Sequence, residues 1–179
     1  LHSFPTRRSS DLGMAIVDQH RASVRVLYDR YMKTLRDRDA HTQKVLFPEV
    51  VQFPPSYVSS IETVLKELRT LGFEITDLGG GSYSVEGMPA GLGGLDATAL
   101  VSDLVSEAYE QGLGATEQIH SILAETLAQR AAVPYGEVLD EKGMETLVES
   151  LVQSESCGYT PDGKKVIATL SDADIERFF

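Results

Sequence analysis

The apolar run Met14-Ala15-Ile16-Val17, followed at once by Asp18-Gln19-His20, is the feature that most constrains the fold. The apolar residues predict a short buried strand, and Asp18 can accept the free backbone N–H groups at the start of a helix. Beyond it, apolar residues recur at helical spacing, at Val24, Leu27, Tyr28, Tyr31 and Leu35. A strand that leads into an amphipathic helix is therefore predicted, with Arg21, Arg25, Arg30 and Lys33 on the solvated helix face.

A strand end that carries Asp18 and His20 is a common place for metal binding or acid–base chemistry. Two interpretations stay open from these residues alone. In one, Asp18 and His20 are the first ligands of a metal site. In the other they are structural, as a helix N-cap and a partly buried imidazole that is hydrogen-bonded nearby. The presence or absence of partner ligands decides between the two.

The rest of the chain mixes helical and strand-like patterns, which predicts an α/β (α+β) domain. Further strands are predicted at 45–53, 73–76, 83–86 and 166–170, and helices at 57–71, 96–110, 116–132, 140–154 and 172–179. Gly72 is expected to end the helix over 57–71. In the helix over 140–154, the residues predicted to face the core are Met144, Leu147, Val148 and Leu151.

Composition limits the possible functions. The chain has 179 residues, of which 42% are hydrophobic, enough for a domain with a core. Its net charge of −11 disfavours direct binding of nucleic acid as the main role, because that affinity comes largely from Lys and Arg on phosphates. The single cysteine, Cys157, excludes an internal disulfide and favours a cytoplasmic location. No apolar run approaches the ~18 residues of a membrane span, so no membrane partner is expected.

Residues 1–12 differ in character from the rest of the chain. They are polar and unpatterned around Arg7-Arg8-Ser9-Ser10, and they lack the apolar centre of a signal peptide. Their sequence resembles the translation of a common sequencing adapter. We interpret them as a non-native leader, with a natural polar tail as the alternative. Under that interpretation, coding sequence upstream of Gly13 is expected to be missing.

A series of segments resembles the C-terminal domain of the MutL family of DNA mismatch repair proteins. They are Ile16-Val17-Asp18-Gln19-His20, Arg25-Val26-Leu27-Tyr28-Asp29, residues 43–48, Ala128-Gln129-Arg130 and Tyr159-Thr160-Pro161-Asp162-Gly163. The resemblance covers nearly everything after Gly13. It implies a discontinuous dimerisation subdomain, 13–36 plus 129–179, and an inserted regulatory subdomain, 37–128.

The resemblance also carries expectations about the whole protein. It implies a homodimer and an upstream ATPase region that would hold ATP and Mg²⁺. The mismatch recognition protein MutS and DNA would be partners of the full-length protein, in a bacterial cytoplasm and at the nucleoid during repair.

Nuclease-active members of the family carry a metal site, and Asp18 and His20 match two of its ligand positions. The remaining positions, which are Glu, Cys, Cys and His in the family, hold Val24, Gln129, Thr160 and Asp162. A valine cannot bind a metal, and only Asp162 offers a replacement oxygen. We therefore predict no metal and no nuclease activity in this domain, and we interpret Asp18, His20 and Asp162 as residual positions with structural roles. A second family Glu aligns with Asp29, which is expected on the solvated helix face.

The segment Gln43-Lys44-Val45-Leu46-Phe47-Pro48 resembles the short peptides that bind the replication sliding clamp, and the MutL family carries such a motif at this location. Peptides of this kind place a glutamine amide in a polar notch and two apolar side chains in a pocket. The residues predicted to contact the clamp are Gln43, Leu46, Phe47 and Pro48. The alternative is that Val45, Leu46 and Phe47 begin a core strand.

These observations predict a non-catalytic domain that forms a homodimer and docks partners for mismatch repair. The alternative from a different class is a metal-dependent nicking endonuclease, which would use zinc or manganese. A third interpretation is a stand-alone binding domain unrelated to repair.

Overall fold

A computed structural model describes residues 13–58, 60–112 and 114–179. The interpretation of residues 1–12 as a leader lies outside the described residues. The elements in chain order are β1 (Met14–Val17), α1 (Gln19–Asp37), β2 (Thr42–Gln52), α2 (Pro55–Val58), α3 (Ile61–Leu71), β3 (Glu74–Gly79), β4 (Ser82–Pro89), α4 (Ala97–Glu110), α5 (Thr116–Ala131), α6 (Glu141–Val152), β5 (Ile167–Leu170) and α7 (Asp172–Glu176). Within these ranges, no helix combines the length and apolarity that crossing a membrane requires. The α/β (α+β) class predicted from the sequence is confirmed.

The predicted junction of strand and helix at Asp18 is confirmed, but the prediction that the strand is buried is wrong, because Met14, Ala15 and Ile16 are exposed and only Val17 is partly buried. β1 pairs antiparallel with β5, from Met14 opposite Leu170 to Val17 opposite Ile167. The side chain of Asp18 caps α1 by accepting the N–H of Arg21, with Oδ1 and N 3.0 Å apart. The N–H of Asp18 donates to the carbonyl of Val166 at 2.9 Å. One residue therefore joins the strand pair to the start of the long helix.

A second sheet is antiparallel and has the strand order β2-β4-β3. β2 pairs with β4 in two stretches, and the register shifts between Lys44, opposite Gly87, and Glu49, opposite Val85. Residues 45–48 thus form a bulge between the two paired stretches, because β2 has more residues there than β4. This bulge contains most of the predicted clamp motif.

The main hydrophobic core lies between the second sheet and the helices. α1 packs against α5, α6 and α3, and α4 packs against α5 and β2. The bulkiest fully buried side chains of this core include Leu35, Leu65, Leu68, Phe73, Leu104 and Leu123. A smaller cluster is formed by Ala22, Leu151 and Val166, with Val17, Val26, Leu147 and Ile167 packed on it. α1 contributes to both clusters, and the division into two subdomains stays a prediction.

Two predicted helices differ in detail. The helix predicted over 57–71 is two helices, α2 and α3, and Gly72 ends α3 in the left-handed conformation as expected, with φ 101°. In α6, the prediction that Met144 and Val148 are buried is wrong, because both are exposed and only Leu151 is fully buried. The apolar stripe of α6 is wider than the surface that its neighbour α1 covers.

The prediction that Arg25 lies on the solvated face is wrong, whereas Asp29, predicted on the same face, is partly exposed. The Arg25 residue is only 8% exposed, and its Nε lies 3.2 Å from Oδ2 of Asp29. Its guanidinium also lies over the ring of Tyr28, 5.3 Å from the ring centre. The ion pair with Asp29 and the contact with the Tyr28 ring stabilise the Arg25 charge. Arg25 can therefore be buried on this side of α1.

Candidate functional site

A cleft of about 490 Å³ lies where α1, α4, α5 and the 159–165 turn meet. Residues from all the segments aligned with the family's metal site line it, namely His20, Val24, Gln129, Thr160 and Asp162. Asp18 lies beside it, in a smaller depression that shares His20 and Tyr135 with the cleft. The structure therefore brings together the positions that the sequence comparison with the nuclease pattern singled out.

Both carboxylate oxygens of Asp18 lie close to Arg21 in the first turn of α1. One carboxylate oxygen accepts the Arg21 N–H, and the other lies 3.2 Å from the Arg21 Nε. A metal ion would have to compete with the N-cap bond and with the guanidinium charge. The position of Asp18 is that of a helix cap.

His20 is held by one backbone bond and one aromatic contact. Its Nδ1 lies 2.9 Å from the carbonyl oxygen of Val133, and its ring centre lies 4.2 Å from that of Tyr135. Because a carbonyl can only accept, Nδ1 carries the proton and Nε2 of the neutral ring keeps its lone pair. An imidazole anchored in this way suits a metal ligand or a structural residue equally well, so its neighbours decide its role.

Those neighbours do not fit the metal that nuclease-active relatives would hold. Val24 is 4% exposed and belongs to the main core, and its side chain has no donor atom. Gln129 offers a neutral amide, which lies 3.4 Å from a Glu125 oxygen. In the described part of the chain, no group of three or more His, Cys, Asp or Glu side chains is arranged to hold a metal ion. A structural zinc site needs four such ligands, and a catalytic zinc site needs three.

The 159–165 turn is closed by its own side chains. The hydroxyl of Thr160 donates to Asp162 and accepts the Lys164 N–H at 2.9 Å. The N–H of Thr160 donates to the Lys164 carbonyl at 2.8 Å. The Lys164 Nζ lies 2.8 Å from Oδ2 of Asp162. Thr160 and Asp162 are therefore engaged with each other and with Lys164.

The charges in the cleft largely balance one another. The hydrogen bonds from Lys164 and Thr160 hold the pKa of Asp162 below its usual value. Burial raises the pKa of Glu125, and the negative charges of Asp162 and Glu107 raise it further, while Lys164 opposes this shift. The bond to Asp162 raises the pKa of Lys164. Lys164 is thus the cation that pairs with Asp162 and partly offsets the negative charge around Glu125.

Glu125 is a cleft residue that sequence reasoning missed. It lies on α5 one helical turn before Gln129, so the spacing of four residues places both on the same side of the helix. That spacing was the signal that could have found it. Its carboxylate adds negative charge to the cleft without completing a set of ligands.

The bulge of β2 is the second candidate site. Leu46 is 90% exposed and Phe47 is 83% exposed, and Gln43 and Pro48 are also exposed. The backbone of Gln43 is paired with Met88 in the sheet. The alternative in which Val45, Leu46 and Phe47 begin a core strand is wrong for Leu46 and Phe47, which lie in solvent, whereas Val45 packs on the main core. The clamp contacts themselves stay a prediction.

Comparison with known proteins decides the family. The sequence model of a family described as "MutL C terminal dimerisation domain" matches residues 8–139 of the chain.

The chain belongs to the MutL C-terminal dimerisation domain family.

The DNA mismatch repair proteins MutL of Bacteroides fragilis, Phocaeicola vulgatus and Parabacteroides distasonis are 41%, 44% and 40% identical to it, each over 167 residues. Each match covers 93% of the chain and 27% of the relative, so the chain spans about a quarter of the length of these MutL proteins. The resemblance inferred from the MutL motifs is confirmed.

Replacing Asp162 with Asn should remove a pH-dependent part of the stability of this MutL domain. The pKa of Asp162 is lower in the folded chain than in the unfolded chain, where it is about 4. Ionised Asp162 therefore stabilises the fold above that pH, and this contribution is lost as the pH falls through the lower folded-state pKa. Urea unfolding should show a variant that is less stable than the wild type at pH 7, with a difference that shrinks on acidification.

The exposed carboxylate of Asp39 provides the matched control. Asp39→Asn should change the free energy of unfolding little at any pH, because surface charges contribute little to stability. A deficit for Asp162→Asn that stayed constant from neutral to strongly acidic pH would contradict the assignment.

Proposed function

We propose that this MutL dimerisation domain has no nuclease activity of its own and acts by joining two chains and by docking partners. The observation that carries the proposal is the cleft, where Val24 and Thr160 occupy positions at which nuclease-active relatives have ligands. Metal-assisted cleavage of a phosphodiester needs ligands that converge on a cation. The cleft offers His20, Asp162 paired with Lys164, and the carboxylates of Glu107 and Glu125, and among the described residues no three such side chains are arranged to hold a metal ion.

The activities of the whole protein are part of the proposal. An ATPase region that binds ATP and Mg²⁺ would belong to the remainder of the protein, since the chain matches 27% of its MutL relatives. Contacts with MutS and with DNA would be made by the full-length protein. The cytoplasmic location and the association with the nucleoid during repair are likewise proposed.

The purified chain should leave supercoiled plasmid intact in buffer with manganese. The expected result follows from the missing ligands, and agarose gels that resolve nicked from supercoiled DNA measure it. Nicking that disappears in His20→Ala and persists in the control His41→Ala would overturn the proposal, because His41 lies outside the cleft.

The outer face of the β1–β5 sheet is the proposed dimerisation surface. Met14 and Ile16 are each 50% exposed, and the residues opposite them are Leu170 and Ala168. These side chains share one face, because residues opposite each other in a ladder point the same way. The other face packs Val17 and Ile167 on the small core cluster. Among the described residues this apolar face stays half exposed, and a two-stranded sheet is marginal by itself. A second copy of the domain would complete it.

Ile16→Lys should therefore weaken the dimer. A lysine at this place would bring an unpaired charge into the interface, at a cost of about 3 kcal/mol or more, which is about a hundredfold in the dissociation constant. Sedimentation equilibrium measures the change. The matched control is Val50→Lys, an exposed valine on β2; if both variants dimerise equally well, the proposed surface is not the interface.

The bulge of β2 is the proposed docking site for the sliding clamp. Two large apolar side chains next to each other in solvent are costly for a free domain and suited to a partner's pocket. The ladder resumes at Glu49, and the Glu49 carboxylate accepts from the Thr98 hydroxyl at 3.4 Å. The bulge is therefore tied at its base while Leu46 and Phe47 project from it.

Replacing Leu46 and Phe47 together with alanine should reduce clamp affinity by about a thousandfold, since two buried anchors of this kind contribute about 2 kcal/mol each. Isothermal titration of the domain with the sliding clamp of the same bacterium measures the loss. Leu78→Ala removes another exposed apolar side chain of the same sheet and should bind as the wild type does. Binding that survives the double replacement would disprove the docking site.

A further inference from the structure

The 159–165 turn raises the question of what holds it against α1. In nuclease-active relatives the resemblance places metal ligands at the positions of Thr160 and Asp162, and others at Asp18 and His20 on the helix. A metal bound by both segments would also join them mechanically. In this chain the ligands do not fit a metal, so the junction needs another tie.

We infer that the side chains of Thr160, Asp162 and Lys164 replace the metal as the tie that fixes this turn, so that the junction between the turn and α1 is independent of metal. The inference rests on the proposed lack of a metal site and goes beyond it, because it assigns a positive structural role to the residues that took the place of the ligands.

The turn is closed by bonds among its own residues. Thr160 is 5% exposed, and its hydroxyl acts as donor to Asp162 and as acceptor for the Lys164 N–H. The backbones of Thr160 and Lys164 are bonded as well, at 2.8 Å. A threonine hydroxyl is thus at the centre of the turn and has a partner for its proton and for a lone pair. The cysteine of the family could not provide this pair of bonds with the same strength, because a thiol is a weak donor and a weak acceptor.

Lys164 also offsets the negative charge beside the turn. A divalent cation near Asp162 and Glu125 would compensate their negative charges. Here the Lys164 ammonium does so, through its ion pair with Asp162 and its effect on Glu125. Since Lys164 is part of the chain, the compensation comes with folding and requires no metal from solution.

The turn is bonded to the start of α1 through the carbonyls of Lys165 and Val166. The closed turn presents its next carbonyl, that of Lys165, to Arg21, whose Nη1 donates to it at 2.8 Å. One residue further, the Val166 carbonyl accepts the Asp18 N–H, and the Val166 N–H donates to Gly158. A turn of the right shape is therefore required to place both carbonyls against the first turn of the helix.

Hydrogen exchange of the Asp18 and Val166 amides in the dimeric chain tests the inference. Thr160→Val keeps the shape and removes the hydroxyl, and Lys164→Met removes the cation. Each should speed exchange of both amides about tenfold, the effect of losing one typical hydrogen bond. In the wild type, EDTA or added zinc should change neither these rates nor the midpoint of thermal unfolding.

Two neighbouring residues supply matched controls. Thr169→Val removes an exposed hydroxyl in β5, and Lys165→Met removes the adjacent ammonium, whose backbone carbonyl stays in place. Both should exchange as the wild type does. If Thr160→Val and Lys164→Met behave like these controls, the inference fails while the lack of a nuclease stands. If zinc slows exchange in the wild type, the inference fails too, and nicking with manganese then shows whether the proposed function fails with it.

Discussion

The bond from the Asp18 N–H to the Val166 carbonyl is the joint on which the rest of the structure depends. It connects β1, β5 and α1 at one point, and the Asp18 side chain caps the same helix. α1 then carries this geometry into both hydrophobic clusters, because Ala22 packs in the small cluster and Tyr31 and Leu35 pack in the main core. The dimerisation surface proposed on β1 and β5 and the cleft beside His20 are thus set by the same few residues.

Much of the fold followed from local patterns. Asp18, Asp96, Asp140 and Ser171 begin helices where the sequence placed them, because a capping side chain acts within its own first turn. Contacts between residues that are far apart in the chain could not be predicted from these local patterns. Glu67 and His120 form a mostly buried pair, with Nε2 and Oε2 2.8 Å apart, although they are 53 residues apart in the chain. The burial of Arg25 and the exposure of Met144 likewise depend on neighbours that periodicity does not reveal.

The cleft shows the same limit at the level of a site. The resemblance to MutL placed Val24, Gln129, Thr160 and Asp162 at ligand positions, and the structure brings them to one cleft. The roles of Thr160 and Asp162 did not follow from alignment, because they depend on bonds that involve the Thr160 hydroxyl and the Lys164 ammonium. These two residues, which align with ligands, are parts of a closed turn. The resemblance located the cleft, whereas the hydrogen bonds and the ion pair in the 159–165 turn determine the roles of these residues.

The bulge of β2 also determines which face of the sheet the side chains in the second half of that strand point to. Lys44 and Glu49 are an odd number of residues apart, yet their partners Gly87 and Val85 lie on the same face of β4. Without the bulge, this odd spacing would place the side chains after it on the opposite face of the sheet. With the bulge, Val51 lies opposite Tyr83 and is buried in the core. The bulge that exposes Leu46 and Phe47 therefore also keeps the second half of β2 turned toward the core, so one irregularity in the ladder serves both the outer surface and the interior.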